Sequence, residues 1–244
     1  MSWVEVTLIG FLAGAVGTGL GGGLGAIVRK PSPRMLGFLL GLAAGVMLSI
    51  IFMELLEEAI AASFTHGMLG LVAGILAFVV LDHLIPHHHP VTNETSSPAL
   101  VRKGSFIALG IALHNLPEGM AIGAGFSAST ATGVALALII ALHNIPEGMA
   151  VAVPLVAGGM KRSNAVALSI AAGLPMGAGA LLGSLMAGVS PASLSWAMGF
   201  AAGAMLYIVC DELIPDVYDL TDSHTAIAGI TTGTALGVAL IYFL

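Results

Sequence analysis

One phrase is written twice in this chain, as ALHNLPEGMA at residues 112–121 and as ALHNIPEGMA at residues 141–150. Each copy places a histidine, an amide, a proline and a carboxylate inside an apolar stretch long enough to form a helix. Ionisable groups in apolar surroundings are costly unless they are paired or bind a metal, and within a membrane they usually mark a functional site. Because the same costly set occurs twice, the two phrases predict a site to which both contribute.

The composition indicates that this apolar environment is a lipid bilayer. Hydrophobic residues make up 57% of the chain and charged residues only 8%, and the mean hydropathy is +1.03. A soluble globular domain carries about 25% charged residues. The composition therefore predicts an all-α integral membrane protein, whose surroundings are lipid, and nothing in the sequence indicates binding to nucleic acid.

The chain divides into predicted spans at its proline, charged and small polar clusters. A membrane-crossing helix needs about 20 predominantly apolar residues. Eight such spans are predicted within a single polytopic domain, together with a histidine-containing linker at 86–103: residues 4–28, 35–61, 67–85, 104–126, 131–157, 163–188, 192–214 and 225–244.

The basic residues predict how these spans are oriented. All seven fall in the first, third and fifth linkers: Arg29, Lys30, Arg34, Arg102, Lys103, Lys161 and Arg162. With eight spans these linkers share one side, and the positive-inside rule places that side in the cytoplasm. We therefore expect a multi-pass protein of the cell (inner) membrane with both termini outside the cytoplasm.

A second repeat links the predicted second and seventh spans. Residues 41–50 read GLAAGVMLSI and residues 199–208 read GFAAGAMLYI, and the same alignment pairs Glu54 with Glu212. These spans run in opposite directions, as do the fourth and fifth, which predicts an inverted repeat in a 3+2+3 bundle. Inverted repeats with a site at the midplane are typical of transporters. Alternatively, glycine and alanine recur only because they allow close helix packing.

The repeated phrase has the chemistry of a metal site. Residues four apart share one helix face, so His114 and Glu118 lie together. Each phrase places three polar side chains on one narrow sector of its helix surface: His114, Asn115 and Glu118 in the first copy, and His143, Asn144 and Glu147 in the second. Imidazoles with carboxylates suit Zn²⁺ or Fe²⁺ better than Mg²⁺ or Ca²⁺, which take oxygen ligands. The alternative, that these groups only pair across helices to hold the bundle, leaves the matching prolines unexplained.

The paired HN-x-PEG phrases and the eight-span layout resemble the ZIP (Zrt/Irt-like protein) metal-ion transporters. The resemblance covers nearly the whole chain. It also includes TGLG at 18–21, FME at 52–54, LDHLIP at 81–86, GFAAG at 199–203 and DELIP at 211–215.

The resemblance implies a mechanism and a set of ligands. It implies alternating-access uptake of Zn²⁺, and of Cd²⁺, Fe²⁺ or Mn²⁺, into the cytoplasm through a site between helices four and five. The metal is cargo, so no resident cofactor is implied, and a transport domain moves against a dimerising scaffold in a homodimer. The implied metal ligands are His114, Asn115, Glu118, His143, Asn144 and Glu147.

The chain departs from the resemblance at a second metal position. Family members with two metals usually have a Glu before the proline of the sixth helix, where this chain has Leu174. Asn144 also stands where an Asp is often found. Both changes remove negative charge. We therefore predict one strongly bound metal, ligated by His114, Glu118, His143 and Glu147, with Asn115 and Asn144 as weak or outer oxygens.

Acidic residues and histidines near the span ends are candidates for the entrance and the exit. An acidic mouth concentrates cations, and a histidine cluster can bind metal. The candidates are Glu54, Asp82, His83, His87, His88, His89, Asp211 and Glu212. The alternative is that carboxylates mark helix ends near water and that the histidine tract is a solvated loop.

Two other functional classes remain open at this point. A membrane-embedded metalloprotease would also bury His and Glu, but the chain has no His-Glu-x-x-His phrase. Metal efflux or proton-coupled exchange would use the same ligands as uptake, so the sequence does not separate them. We therefore expect a transporter and not an enzyme.

Overall fold

The computed structural model describes residues 1–28, 32–84 and 97–243. All regular elements in these ranges are helical. A π-helical segment follows α2 and another follows α8. In chain order the elements are α1 Trp3–Ile27, α2 Pro33–Ile50, π1 Ile51–Leu55, α3 Leu56–Leu84, α4 Ser97–Ala128, α5 Thr130–Ala157, α6 Arg162–Gly173, α7 Pro175–Ala187, α8 Pro191–Ile208, π2 Val209–Leu213, α9 Ile214–Leu220 and α10 Ser223–Phe243.

Serine residues begin several of these helices. The side chains of Ser2, Ser32, Ser129 and Ser190 each accept a hydrogen bond from a backbone N–H in the first turn. The first-turn N–H groups of a helix lack intrahelical partners, and a serine N-cap supplies one. These caps fix the starts of α1, α2, α5 and α8.

Seven helical runs in the described ranges are long and apolar enough to cross a membrane. They are Trp3–Ile27, Pro33–Leu81, Pro98–Ala128, Thr130–Ala157, Arg162–Ala187, Pro191–Leu220 and Ser223–Phe243. The predicted all-α membrane class is therefore confirmed. The second run contains 49 residues and includes the second predicted span, 35–61, and most of the third, 67–85.

This long run is interrupted at Ser63. The backbone of Ser63 has φ −167° and ψ 111°, which is extended and not helical. A Cβ atom added to Gly67 would lie 3.0 Å from the carbonyl oxygen of Ala59, whereas eight residues of straight helix span about 12 Å. The chain therefore turns back at Ser63. The hydroxyl of Ser195 donates to the carbonyls of Ala59 (2.7 Å) and Ser63 (2.8 Å), which satisfies backbone groups at the break.

Glycines let the helices that carry the repeated phrase approach their neighbours backbone to backbone. Gly21 of α1 lies against the carbonyl of Ile145 in α5, and Gly119 of α4 lies against the carbonyl of Met176 in α7, with no room for a Cβ atom in either place. Small residues permit this approach in membranes, where packing drives helix association. Helix α1 also packs against α6 and α7, so these helices form a first bundle, α1, α4, α5, α6 and α7.

The remaining long helices form a second bundle, α2, α3, α8 and α10, in which the pair α2–α10 and the pair α3–α8 meet through the two π-helical segments. Gly45 of α2 lies against the carbonyl of Ile230 in α10, and Gly74 of α3 lies against the carbonyl of Phe200 in α8. The two bundles meet where α2 packs against α5 and where α8 packs against α4. Large apolar side chains such as Leu12 face outward, as expected for helices surrounded by lipid.

The two π-helical segments occur at matching positions of the second sequence repeat. The alignment that pairs Glu54 with Glu212 also pairs Ile51–Leu55 with Val209–Leu213. In both segments the first and last residues are buried and the glutamate is the fourth residue. Short π-helical turns within α-helices are frequent at functional sites.

Candidate metal centre

The two copies of the repeated phrase meet in the interior of the first bundle. Helices α4 and α5 remain continuous through Pro117 and Pro146. All six polar side chains of the phrases are buried, with at most 2% of each residue exposed: His114, Asn115, Glu118, His143, Asn144 and Glu147. The structure therefore brings together every central residue that the sequence predicts.

Each histidine faces the glutamate of the other helix. Nε2 of His143 lies 2.9 Å from Oε1 of Glu118, which is hydrogen-bonding distance. Nε2 of His114 lies 3.7 Å from Oε1 of Glu147, which is too long for a hydrogen bond. Both imidazole–carboxylate contacts thus join α4 to α5, but only the contact between His143 and Glu118 is at hydrogen-bonding distance.

Several buried polar atoms at this place lack a hydrogen-bond partner among the described residues. There are seven on α4 and α5: Nδ1 and Nε2 of His114, Oε2 of Glu118, Nδ1 of His143, Oδ1 of Asn144, and Oε1 and Oε2 of Glu147. Buried side-chain polar atoms are normally hydrogen-bonded, and each exception needs an explanation. All seven are nitrogen or oxygen atoms of types that coordinate metal ions.

Three of these residues are close enough to share one ion. Ligand atoms of His114, Glu118 and Glu147 all lie within 4.8 Å of one another. One imidazole nitrogen with two carboxylate oxygens is a donor set that suits Zn²⁺, and the two carboxylates offset its charge. His143 lies outside this group of three and contacts it through its hydrogen bond to Glu118.

The two asparagines bond to each other on one side of this group. Nδ2 of Asn144 donates to Oδ1 of Asn115 at 3.0 Å. Nδ2 of Asn115 donates to the carbonyls of Ile111 (2.8 Å) and Ala172 (3.2 Å). The oxygen of Asn115 is therefore engaged, whereas Oδ1 of Asn144 has no hydrogen-bond partner in the described ranges. These amides tie α4, α5 and α6 together.

Glu212 of π2 reaches the centre from the second bundle. Its Oε2 lies 3.7 Å from Nδ1 of His114. A small cavity opens between them, lined by Phe78, Leu81, Gly110, Leu113, His114, Tyr207, Ile208 and Glu212. The sequence predicts Glu212 only as an exit residue at the end of a span. The sequence feature that distinguishes Glu212 from the other exit candidates is the second repeat, which aligns it with Glu54.

Of the other entrance and exit candidates, Glu54, Asp211 and His83 are partly or fully exposed, unlike the buried central group. Glu54 is half-buried in π1, and Asp211 is exposed in π2. His83 is exposed, and its Nδ1 lies 2.7 Å from the carbonyl of Val79 in the same helix. Asp82 belongs to α3. The predicted histidine tract, His87, His88 and His89, lies outside the described residues.

The second metal position, at which the sequence departs from the resemblance, has no carboxylate from the sixth span. Leu174 stands between α6 and α7, and its side chain is 42% exposed. Residues 162–187 contain neither Asp nor Glu. The end of α6 nevertheless adjoins the centre, because the carbonyl of Ala172 accepts from Asn115.

Comparison with known proteins places this arrangement in a family. Residues 92–244 match the family described as ZIP Zinc transporter. The chain is 34% identical to the zinc transporter ZupT of Stenotrophomonas maltophilia (strain K279a), over 99% of this chain and 96% of that protein. It is 36% identical to ZupT of Corynebacterium aurimucosum and to ZupT of Escherichia coli O127:H6, in each case over 96% of this chain and 95% of the relative. The chain therefore belongs to the ZIP zinc transporter family, as a multi-pass membrane protein that transports divalent metal ions and is not an enzyme.

Proposed function

We propose that this chain moves Zn²⁺, with Cd²⁺, Fe²⁺ and Mn²⁺ as related cargo, into the cytoplasm through the centre between α4 and α5. The observation that carries the proposal is the group of seven buried ligand-type atoms without hydrogen-bond partners in the described ranges. Side chains that only paired to hold the helices together would satisfy one another. The open contact between His114 and Glu147, at 3.7 Å, instead leaves lone pairs for a metal ion.

In this proposal His114, Glu118 and Glu147 bind the ion directly. Their ligand atoms lie within 4.8 Å of one another, so small side-chain movements bring them to metal-bonding distance. His143 orients Glu118 through their 2.9 Å contact and is the nearest candidate for a fourth ligand. A single ion is bound strongly, because Leu174 and Asn144 supply no negative charge to a second position.

The proposed topology has eight crossings. The run Pro33–Leu81 has 49 residues, which as a straight helix would be about 74 Å long, whereas the hydrocarbon core is about 30 Å thick. The turn at Ser63 divides the run into two crossings. With the three basic linkers in the cytoplasm, both termini lie on the side of the inner membrane that faces away from the cytoplasm. The paired π-helical segments support the 3+2+3 inverted repeat.

Alternating access is proposed to occur by movement of one bundle past the other. The first bundle holds the ligands of α4 and α5, whereas Glu212 belongs to the second bundle. Movement of the first bundle would therefore break the contact of Glu212 with His114 and open the cavity between them. The second bundle is the proposed scaffold of a homodimer, and the carboxylates of Glu54 and Asp211 attract cations at its two ends.

The decisive experiment is metal flux in proteoliposomes, with a fluorescent Zn²⁺ indicator inside and with both gradient directions tested. Vesicles of known orientation are separated with an affinity tag on the terminus predicted to be outside. We expect saturable flux toward the cytoplasmic face, and no saturable flux in protein-free vesicles or with Glu147→Ala. Flux only toward the outside face, or only with a proton gradient, would replace uptake by efflux or exchange.

A further inference from the structure

We propose that Glu54 is the counterpart of Glu212 in the opposite-facing state, in which the Glu54 carboxylate contacts Nδ1 of His143. This inference rests on the proposed alternating access. It assigns a ligand-positioning role to a residue that the described structure leaves away from the centre.

The first support is the correspondence of the two π-helical segments. Glu54 and Glu212 are each the fourth residue of a π-helical segment that directly follows a long apolar helix. The preceding sequences, GLAAGVMLSI and GFAAGAMLYI, align without a gap. The local backbone thus gives the two carboxylates equivalent placements on α2 and α8.

The second support is the correspondence of the helices that these segments face. Helix α8 packs against α4, and helix α2 packs against α5. Alignment of the two copies of the repeated phrase pairs α4 with α5 and His114 with His143. The observed contact of Glu212 with His114 therefore has one equivalent, which is the contact of Glu54 with His143.

The third support is an atom that lacks a partner. Nδ1 of His114 lies 3.7 Å from Oε2 of Glu212, which is close enough for an ion pair although too long for a hydrogen bond. The equivalent atom, Nδ1 of His143, is likewise buried without a hydrogen-bond partner among the described residues. Glu54 is only half-buried. A ligand histidine usually gives its second ring nitrogen to a carboxylate or a carbonyl, which fixes its orientation.

These observations combine through the symmetry of inverted repeats. When two related halves are inverted in the bilayer, the two transport states arise as each half takes the arrangement of the other. In the described state Glu212, in the second half, lies near His114. In the opposite state Glu54, in the first half, contacts His143 while Glu212 moves away from His114. The two glutamates thus alternate in positioning the two histidines.

Cross-linking tests the proposed contact directly. In a Cys210→Ser background, one variant carries Glu54→Cys with His143→Cys and another carries Glu212→Cys with His114→Cys. Each is treated with a short bismaleimide in membranes, denatured and cut after its three lysines, Lys30, Lys103 and Lys161. The first pair is expected to join fragments 31–103 and 104–161, and the second pair to join 104–161 and 162–244.

The matched control pairs His143→Cys with Phe52→Cys, because Phe52 is exposed in π1 and is the repeat equivalent of Cys210. We expect no cross-link from it. A cross-link of the Glu212 pair without one of the Glu54 pair overturns this inference and leaves the proposed function intact. Failure of both pairs, together with no saturable Zn²⁺ flux in the Cys210→Ser parent that keeps both histidines, overturns the proposed function itself.

A near-isosteric variant gives a second measurement that needs no double substitution. Glu54→Gln is expected to slow Zn²⁺ flux at least about 10-fold, the scale for loss of a residue that orients a metal ligand. Its Zn²⁺ dissociation constant in the described state stays at the parental value, because Glu54 is remote there. Glu57→Gln, an exposed neighbour of Glu54, keeps the parental flux. Parental flux in Glu54→Gln overturns the inference.

Discussion

Nε2 of His143 lies 2.9 Å from Oε1 of Glu118, and this buried contact joins the second copy of the repeated phrase to the first. The reciprocal contact, between His114 and Glu147, is open at 3.7 Å. Removal of one member of a buried pair leaves its partner charged and uncompensated. The crossed arrangement therefore makes each of the four residues depend on the helix to which it does not belong.

We expect His143→Ala and Glu147→Ala each to abolish saturable metal uptake while the protein is still inserted in the membrane. Glu147→Ala removes a proposed direct ligand, and His143→Ala frees Glu118 from its only imidazole contact at hydrogen-bonding distance among the described residues. The measurement is initial Zn²⁺ flux against concentration, and the control is His224→Ala, an exposed histidine. A parental rate with unchanged KM in either variant would contradict the assignment of the metal centre to these residues.

Metal affinity is expected to fall as the pH falls. Coordination needs an imidazole nitrogen with a free lone pair and ionised carboxylates, so each proton that binds the centre competes with the metal. An unperturbed histidine titrates near pH 6.5, and a proton bound to any ligand at lower pH has to leave before the metal can bind. Titration calorimetry with Zn²⁺ at pH 7.5, 6.5 and 5.5 should give a rising dissociation constant, after correction for buffer protonation. A constant value across this range contradicts ligation by His114.

Leu174→Glu is expected to create a second metal position. The end of α6 adjoins the amides, because the carbonyl of Ala172 lies 3.2 Å from Nδ2 of Asn115. The Leu174 side chain is 42% exposed, so a glutamate there has to turn toward the amides to bind a metal. Two unit charges 4 Å apart repel by about 4 kcal/mol at a dielectric of 20, and two divalent ions by about four times as much. The parent lacks the negative charge to offset this repulsion, and the variant gains one carboxylate.

Anomalous scattering from crystals soaked in Cd²⁺ measures the number of ions in each protein. We expect one strong peak between α4 and α5 in the parent and two peaks in Leu174→Glu. The neutral variant Leu174→Gln controls for polarity and keeps one peak. Two fully occupied peaks about 4 Å apart in the parent, the spacing of known two-metal sites, would show that the amides hold a second ion without help.

Gly119→Ala is expected to destabilise the first bundle. A methyl group at this position overlaps the carbonyl of Met176 and the backbone nitrogen of Ala180, so α4 and α7 must separate. Overpacking of this kind costs about 1 to 3 kcal/mol, which lowers the thermal unfolding temperature in detergent. The control is Gly23→Ala in α1, where an added Cβ meets no atom within 4 Å. Equal unfolding temperatures of the two variants would contradict the backbone contact.

Much of the centre could be predicted from local pattern alone. The spacing of His114 and Glu118 predicts a shared helix face, and both side chains are buried together as expected. The crossed pairing of His143 with Glu118 could not be predicted in this way. It depends on how α4 and α5 dock, and docking follows from glycine contacts such as that of Gly104 in α4 with Leu155 in α5, which connect distant parts of the chain.

The proximity of Glu212 to His114 could not be predicted from helical periodicity. A count of apolar residues puts it at the end of a span, because such a count assumes regular α-helix throughout. The π-helical segment Val209–Leu213 adds a residue to the turn and changes the direction of the side chains that follow. The break at Ser63, in contrast, falls between the predicted spans 35–61 and 67–85.

The glycine contacts of the first bundle have a mechanical consequence. Gly21 and Gly119 bring the backbones of α1 and α5, and of α4 and α7, into direct contact, with no layer of side chains between them. Side chains can change rotamer and absorb a displacement, whereas touching backbones cannot. We therefore expect a displacement of α5 to carry α1 with it and a displacement of α4 to carry α7 with it, so that the first bundle moves as one rigid body.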